Sequence, residues 1–316
     1  MQNQTTTATA PGKIILFGEH SVVYGRPAIA VPVNQVEATC QIEDSEPGGG
    51  LEIVAEDLGW QKSSGQLPDD DPILAIIRAT LSHLQQPQPD LLLRIRSTIP
   101  IARGMGSGAA VSTAIVKALS RHVGCELLPQ TISDLVYEVE KIHHGTPSGI
   151  DNTVVAFAQP IFFQHGRPIE RLSVAEPLTF IIGDTGIESQ THKVVGDLRA
   201  RRAQDVERYE GYFDELAAIA REARMAVERG DLRAIGVCMA GNHAILNTLC
   251  VSSVDLNRLV EAAMAAGAVG AKMSGAGWGG NMIALARPGQ ARAIGNALRA
   301  AGAERTIVSQ VSASTS

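Results

Sequence analysis

Aromatic residues make up only 4% of this 316-residue chain, and its four cysteines, Cys40, Cys125, Cys238 and Cys250, lie far apart. With no Cys-x-x-Cys pair and no paired His motif, the pattern excludes a zinc finger and predicts reduced thiols rather than a disulfide framework. Basic excess is missing too: 27 Lys and Arg stand against 33 Asp and Glu, a formal net charge of −6. A nucleic-acid partner is therefore not expected, because binding phosphates broadly needs a basic face. No stretch approaches the about 20 apolar residues of a membrane span, so no membrane partner is expected. Residues 1–10 lack the basic start and apolar run of a secretion signal, so the expected location is cytoplasmic.

What the chain does have is enough apolar sequence, 45%, to bury a sizeable core, and length for about two domains. Residues 13–17, 28–33 and 36–42 read as short strands rich in Ile and Val. Residues 44–50 read as a loop. Asp71 followed by Pro72 predicts a capped helix start, and Ile73, Ile76, Ile77, Leu81 and Leu84 follow at helical spacing. Residues 91–97 alternate as a strand. A glycine-rich stretch then opens into a helix whose inner stripe is Val111, Ala114, Ile115, Ala118 and Leu119. Another helix spans residues 131–142, with Gly145 as its expected stop. Beyond a strand at 178–182 comes a long polar helix at 195–229, expected to bend or break near Gly211. Helices near 231–248 and 255–266, a strand–glycine turn–strand at 269–286, a helix near 290–301 and a strand at 304–311 complete the chain. The fold class is α+β or mixed α/β, with a boundary expected between residues 165 and 178.

Four segments carry candidate chemistry. In Pro11-Gly12-Lys13-Ile14-Ile15-Leu16-Phe17-Gly18-Glu19-His20, three ionisable groups cluster around one strand and the loop after it, the kind of convergence at which perturbed pKa values and catalysis gather. In Arg103-Gly104-Met105-Gly106-Ser107-Gly108-Ala109, three glycines free backbone N–H groups just before a helix, whose dipole adds to an anion site. Neither the Walker pattern nor G-x-G-x-x-G is present. Lys272-Met273-Ser274-Gly275-Ala276-Gly277-Trp278-Gly279-Gly280-Asn281 holds more glycine than a hairpin needs. The fourth stretch places Glu140 on a helix and Asp151 beyond a Gly-Thr-Pro-Ser-Gly turn, offering one carboxylate for a cation and one for a proton.

Together, in this order and over nearly the whole chain, these segments resemble the galactokinase, homoserine kinase, mevalonate kinase and phosphomevalonate kinase superfamily, the GHMP kinases. Ala10-Pro11-Gly12-Lys13 through Glu19-His20 to Tyr24-Gly25, and His144-Gly145-Thr146-Pro147-Ser148-Gly149-Ile150-Asp151-Asn152, look most like its mevalonate kinase branch. The resemblance implies a two-domain α+β fold. Residues 1–172 would form a domain like ribosomal protein S5 domain 2, and residues 173–316 a ferredoxin-like domain. It implies ATP-dependent phosphorylation of the 5-hydroxyl of mevalonate in isoprenoid biosynthesis, with ATP and Mg²⁺ as cofactors, in a homodimer.

Carried over by position, Asp151 would accept the hydroxyl proton and Lys13 would sit beside it. Glu140 would hold Mg²⁺, with Ser107 as a second metal ligand. Arg103, Gly104, Met105, Gly106, Ser107, Gly108 and Ala109 would bind the phosphates. Lys13, Glu19, His20, Asp151, Thr191, Ser274, Gly275 and Ala276 would bind substrate. The chain departs from the family pattern at Gly108, where a second serine is usual, at Trp278, where glycine is usual, and at Asn281, where a smaller residue is common. The alternatives are a relative acting on another small alcohol such as phosphomevalonate, and a nucleotide-binding protein without catalysis. Glu19-His20 and the Asp151 segment favour a mevalonate kinase over the first alternative, and retention of Lys13, Glu140 and Asp151 ranks the second low.

Overall fold

The computed structural model describes residues 5–144 and 147–314. In chain order its first elements are β1 (Thr6–Phe17), β2 (Ala28–Asp44), β3 (Leu51–Ala55), β4 (Trp60–Ser63), α1 (Pro72–His83), β5 (Leu91–Ser97), α2 (Ser107–His122), α3 (Pro129–His144) and α4 (Ile150–Phe157). Then come β6 (Ile161–Phe163), β7 (Glu170–Arg171), β8 (Leu178–Asp184), α5 (Thr191–Gln204), α6 (Val206–Arg229), α7 (Leu232–Thr248) and α8 (Val254–Ala265). β9 (Gly270–Ser274), β10 (Asn281–Ala286), α9 (Ala291–Ala300) and β11 (Arg305–Val311) end the chain. The mixed α+β class expected from the sequence is what is found. Gly145, the expected stop of α3, lies outside the described residues.

The chain divides into two compact units. The first comprises Met1–Gly12, Val36–Ile99 and Gly106–Ala158; the second comprises Lys13–Gln35, Pro100–Met105 and Gln159–Ser316. These units do not follow chain order, so they are a different partition from residues 1–172 and 173–316.

In the first unit, β5 runs parallel to β3 and antiparallel to the second half of β2, and β4 pairs antiparallel with β3. Asp71 caps α1 as expected, its carboxylate accepting from the N–H groups of Ile73 at 2.9 Å and Leu74 at 3.3 Å. α2 is buried around most of its circumference, which explains its composition. Ala109, Ala110, Ala114 and Ala118 let α1, α3 and α4 pack against it closely. Asp151, read in sequence as a residue after a turn, opens the first turn of α4.

In the second unit, β8, β9, β10 and β11 form an antiparallel sheet in the order β11-β8-β10-β9. With α5–α8 between β8 and β9, and α9 between β10 and β11, this is the β-α-β-β-α-β pattern of the expected ferredoxin-like domain. Its core includes Ile181, Leu198, Phe213, Leu246, Leu256 and Met282.

Two sequence expectations change. The strands read at 28–33 and 36–42 are one, β2. Its residues 28–30 pair with β6 and its residues 38–44 with β5, and β1 pairs with it as well, so one continuous strand serves three neighbours. The long polar helix breaks at Asp205 and not at Gly211. Asp205 ends α5 and caps α6 by accepting from the Arg208 N–H at 3.2 Å. Gly211 stays helical inside α6, where an added Cβ would meet no atom within 4 Å. A side chain that can cap thus outweighs the propensity cost of a glycine.

Candidate functional site

Most of the candidate residues in the second unit are tied down by one network. β1 delivers Lys13, which is buried, with its backbone N–H donating to the Met105 carbonyl at 3.0 Å. The chain then turns sharply. The Ser21 N–H donates to the Glu19 carbonyl at 2.7 Å across His20, whose φ of 62° and ψ of −49° describe the rare, strained form of a three-residue turn. Beyond it, a short 3-10 helix spans Ser21–Tyr24. The Nε2–H of His20 donates to the Ala276 carbonyl at 2.8 Å, which fixes the tautomer. Burial pushes the His20 pKa down to about 4; the Ala276 bond opposes this, and the nearby Arg201 charge adds to it.

Glu19 is fully buried. Its carboxylate takes a hydrogen-bonded ion pair from Lys272 on β9, also fully buried, and the Asn242 side-chain amide of α7 donates to it at 3.3 Å. Lys272 also donates to the Met273 carbonyl at 2.6 Å, and burial pulls its ammonium below the usual range while Glu19 opposes that. Alongside, the Met273 N–H donates to Nδ1 of His243 at 3.4 Å, and burial lowers the His243 pKa to about 4, aided by the Lys272 charge.

The β9–β10 loop is held just as closely. Ser274 donates from Oγ to the Ile15 carbonyl at 2.8 Å. Gly275 and Gly277 take φ of 93° and 97°, and Ser189 donates from Oγ to the Gly277 carbonyl at 3.0 Å. Trp278 also has positive φ, 56°, which accounts physically for a position where glycine is usual. Its backbone N–H donates to Val251, its indole N–H donates to the Cys250 carbonyl at 2.9 Å, and its ring is partly exposed.

The stretch before α2 is docked from this side. The Ser189 N–H donates to the Ala102 carbonyl at 3.0 Å, and the Asn281 amide donates to the Arg103 carbonyl at 2.5 Å. The Arg103 guanidinium lies between Asp184, 3.7 Å away, and Glu304, 3.8 Å away. Thr191 is exposed at the first position of α5. Lys272, Asn242 and Ser189 were not singled out as site residues in the sequence. Lys272 opens the second glycine-rich segment, but nothing in sequence marks Asn242, on α7, or Ser189, in the loop before α5, as partners of these loops.

The first unit presents a different set. Gly106, with φ of 70°, precedes α2 and makes no side-chain cap, so the first-turn N–H groups of Ser107, Gly108 and Ala109 take no capping side chain. An added Cβ at Gly108 would meet no atom within 4 Å. Uncapped N–H groups on a helix dipole, beside a glycine with space around it, suit a phosphate chain. Glu140, on α3, and Asp151, on α4, are both half-buried. Among the described residues no three His, Cys, Asp or Glu side chains come together as a metal cage. Glu140 and Ser107 offer oxygen donors, the type that suits Mg²⁺, an ion that is commonly held by one or two carboxylates plus substrate phosphates. No helix among the described residues is long and apolar enough to cross a membrane.

Known proteins resemble this chain in sequence and in fold. Residues 73–159 match the model of the GHMP kinases N terminal domain, and residues 223–304 that of the GHMP kinases C terminal. The mevalonate kinase of Thermococcus sibiricus is 34% identical over 96% of both chains, and that of Pyrococcus horikoshii 35% identical over 93% of this chain and 92% of its own. The crystal structure of L. major mevalonate kinase in complex with R-mevalonate superposes with a TM-score of 0.86 and 28% identity, covering 99% of this chain and 98% of that one. End-to-end similarity at this level, on a fold with both matched domains, means that the chain belongs to the GHMP kinase family, among the relatives of its mevalonate kinases.

Proposed function

We propose that this chain transfers the γ-phosphoryl group of ATP to the 5-hydroxyl of (R)-mevalonate. The observation that carries the reading is the near-complete coverage by relatives named mevalonate kinase, joined to the presence of Lys13, Glu140 and Asp151 in their expected segments. Phosphoryl transfer asks for positioning and charge neutralisation more than for covalent work by the protein. Asp151 accepts the proton of the attacking hydroxyl, and Lys13 offsets negative charge on the transferring group. The N–H groups of Gly106, Ser107, Gly108 and Ala109 bind the phosphates, with Arg103, Gly104 and Met105 shaping the approach. Glu140 and Ser107 would hold Mg²⁺, which supplies charge neutralisation on the β- and γ-phosphates. His20, Thr191, Gly275 and Ala276 line the substrate side.

The two halves of the family sequence, residues 1–172 and 173–316, belong to the same proposal. Its support is that each matched domain falls within one half. A homodimer and a cytoplasmic location belong to it as well, on the resemblance alone.

The test is turnover with ATP and Mg²⁺ on mevalonate, 5-phosphomevalonate, homoserine and galactose, with the phosphorylated position read by NMR. Mevalonate is expected to react at O5, and Asp151→Asn to lower kcat by about 10²–10⁴. Turnover of a different alcohol would move the substrate, and ATP binding without turnover of any would end the kinase reading.

A further inference from the structure

We infer that Glu19 is a positioning residue rather than a substrate ligand. With Lys272 and Asn242 it forms a buried polar clamp that holds the strained His20 turn against the β9–β10 loop. The inference rests on the reading of this site as a mevalonate site.

Three observations carry it. Glu19 has no exposed surface, and both its oxygens are engaged, one by Lys272 and the other by Asn242. Its partners come from two further elements, β9 and α7, so one carboxylate joins the end of β1 to both. And the next residue, His20, sits in a backbone conformation that persists only where the surroundings over-determine it. The Glu19 anchor on one side and the Nε2–H bond to Ala276 on the other supply that constraint. A buried ion pair of this kind contributes little net stability, because desolvation offsets the attraction, but loss of one partner leaves a charge stranded in the interior. Its role here is to set register: β9 cannot slide relative to the His20 turn while the pair is intact.

A double-mutant cycle of Glu19→Gln and Lys272→Met tests this, read by mevalonate affinity in calorimetry, by KM and kcat, and by the His20 imidazole NMR resonances. Lys272→Met, at a residue with no exposed surface, is expected to weaken mevalonate binding about tenfold by stranding Glu19, and the double variant to recover most of that loss. The His20 resonances should move in Lys272→Met and return in the double variant. Additive losses, or a normal affinity in Lys272→Met with a large loss in Glu19→Gln, would overturn the clamp and return Glu19 to the substrate. If Lys272→Met does not fold, Asn242→Ala serves instead: it removes one donor and should raise KM about threefold with kcat unchanged, whereas an unchanged KM would overturn the inference. Failure of the mevalonate reading is distinguishable: the wild type would then bind no mevalonate, while the His20 resonances would still report the clamp.

Discussion

The two glycine-rich loops are almost alike in composition and opposite in structure. In the stretch that leads into α2, a Cβ added at Gly104, or at Gly108 in the helix's first turn, meets nothing within 4 Å. In the β9–β10 loop, a Cβ at Gly277 would stand 1.9 Å from the Val251 carbonyl oxygen, at Gly279 2.7 Å from that of Ile187, and at Gly280 3.1 Å from that of Arg103. The first loop is glycine-rich to leave room and expose N–H groups; at Gly277, Gly279 and Gly280 the second is glycine-rich because neighbouring backbone already fills the space. Glycine content therefore marks close backbone approach in general, and only the tertiary neighbours tell whether ligand or protein makes that approach.

Substitution should separate the two loops sharply. The largest effect is expected for Gly277→Ala, which meets both a backbone clash and a positive φ; Tm should fall by on the order of 10 °C in calorimetry. A near-normal Tm would mean that the β9–β10 loop yields easily, and the contrast would collapse.

Acid should act on the packed loop next. His20 and His243, both lowered to about 4, resist protonation when folded but take a proton near pH 6.5 when unfolded. Their contribution is present above that unfolded value and is lost as pH falls from 6.5 towards 4. Urea unfolding should show stability dropping by about 3–4 kcal/mol between pH 7 and 5, and a flat profile would contradict the burial of these rings.

The smallest effect on stability is expected for Gly108→Ala, in the open loop. Tm should stay within about 2 °C of wild type while KM for ATP rises about three- to tenfold, the split that a ligand-facing glycine requires. A marked loss of stability there would show that the first loop is packed like the second.

Much of the fold was legible along the chain. The α1 start followed from Asp71-Pro72, the β9 and β10 pair from a strand–glycine turn–strand run, and the ferredoxin-like domain from the family resemblance. Where reading failed, a local signal had a competitor. Gly211 looked like the weak point of a long helix, but Asp205 offered a cap. Residues 28–33 and 36–42 read as two strands, but pairing on either side carried β2 through. Of the candidate site, the ionisable groups and phosphate-type loop were visible because their chemistry is local. Asn242 and Lys272 were not visible as partners of Glu19, because they stand 223 and 253 positions away in sequence.

The sequence by itself thus determined most of the helices, the strands of the C-terminal sheet, the family and the set of chemical groups, since propensity, capping and motif spacing act over a few residues; β3, β4, α4, β6 and β7 carried no such signal. Only the tertiary structure decided that Glu19 and Ser274 point into protein and that one glycine loop is open and the other filled. Those outcomes depend on which distant backbone and side-chain atoms claim each hydrogen bond and each volume.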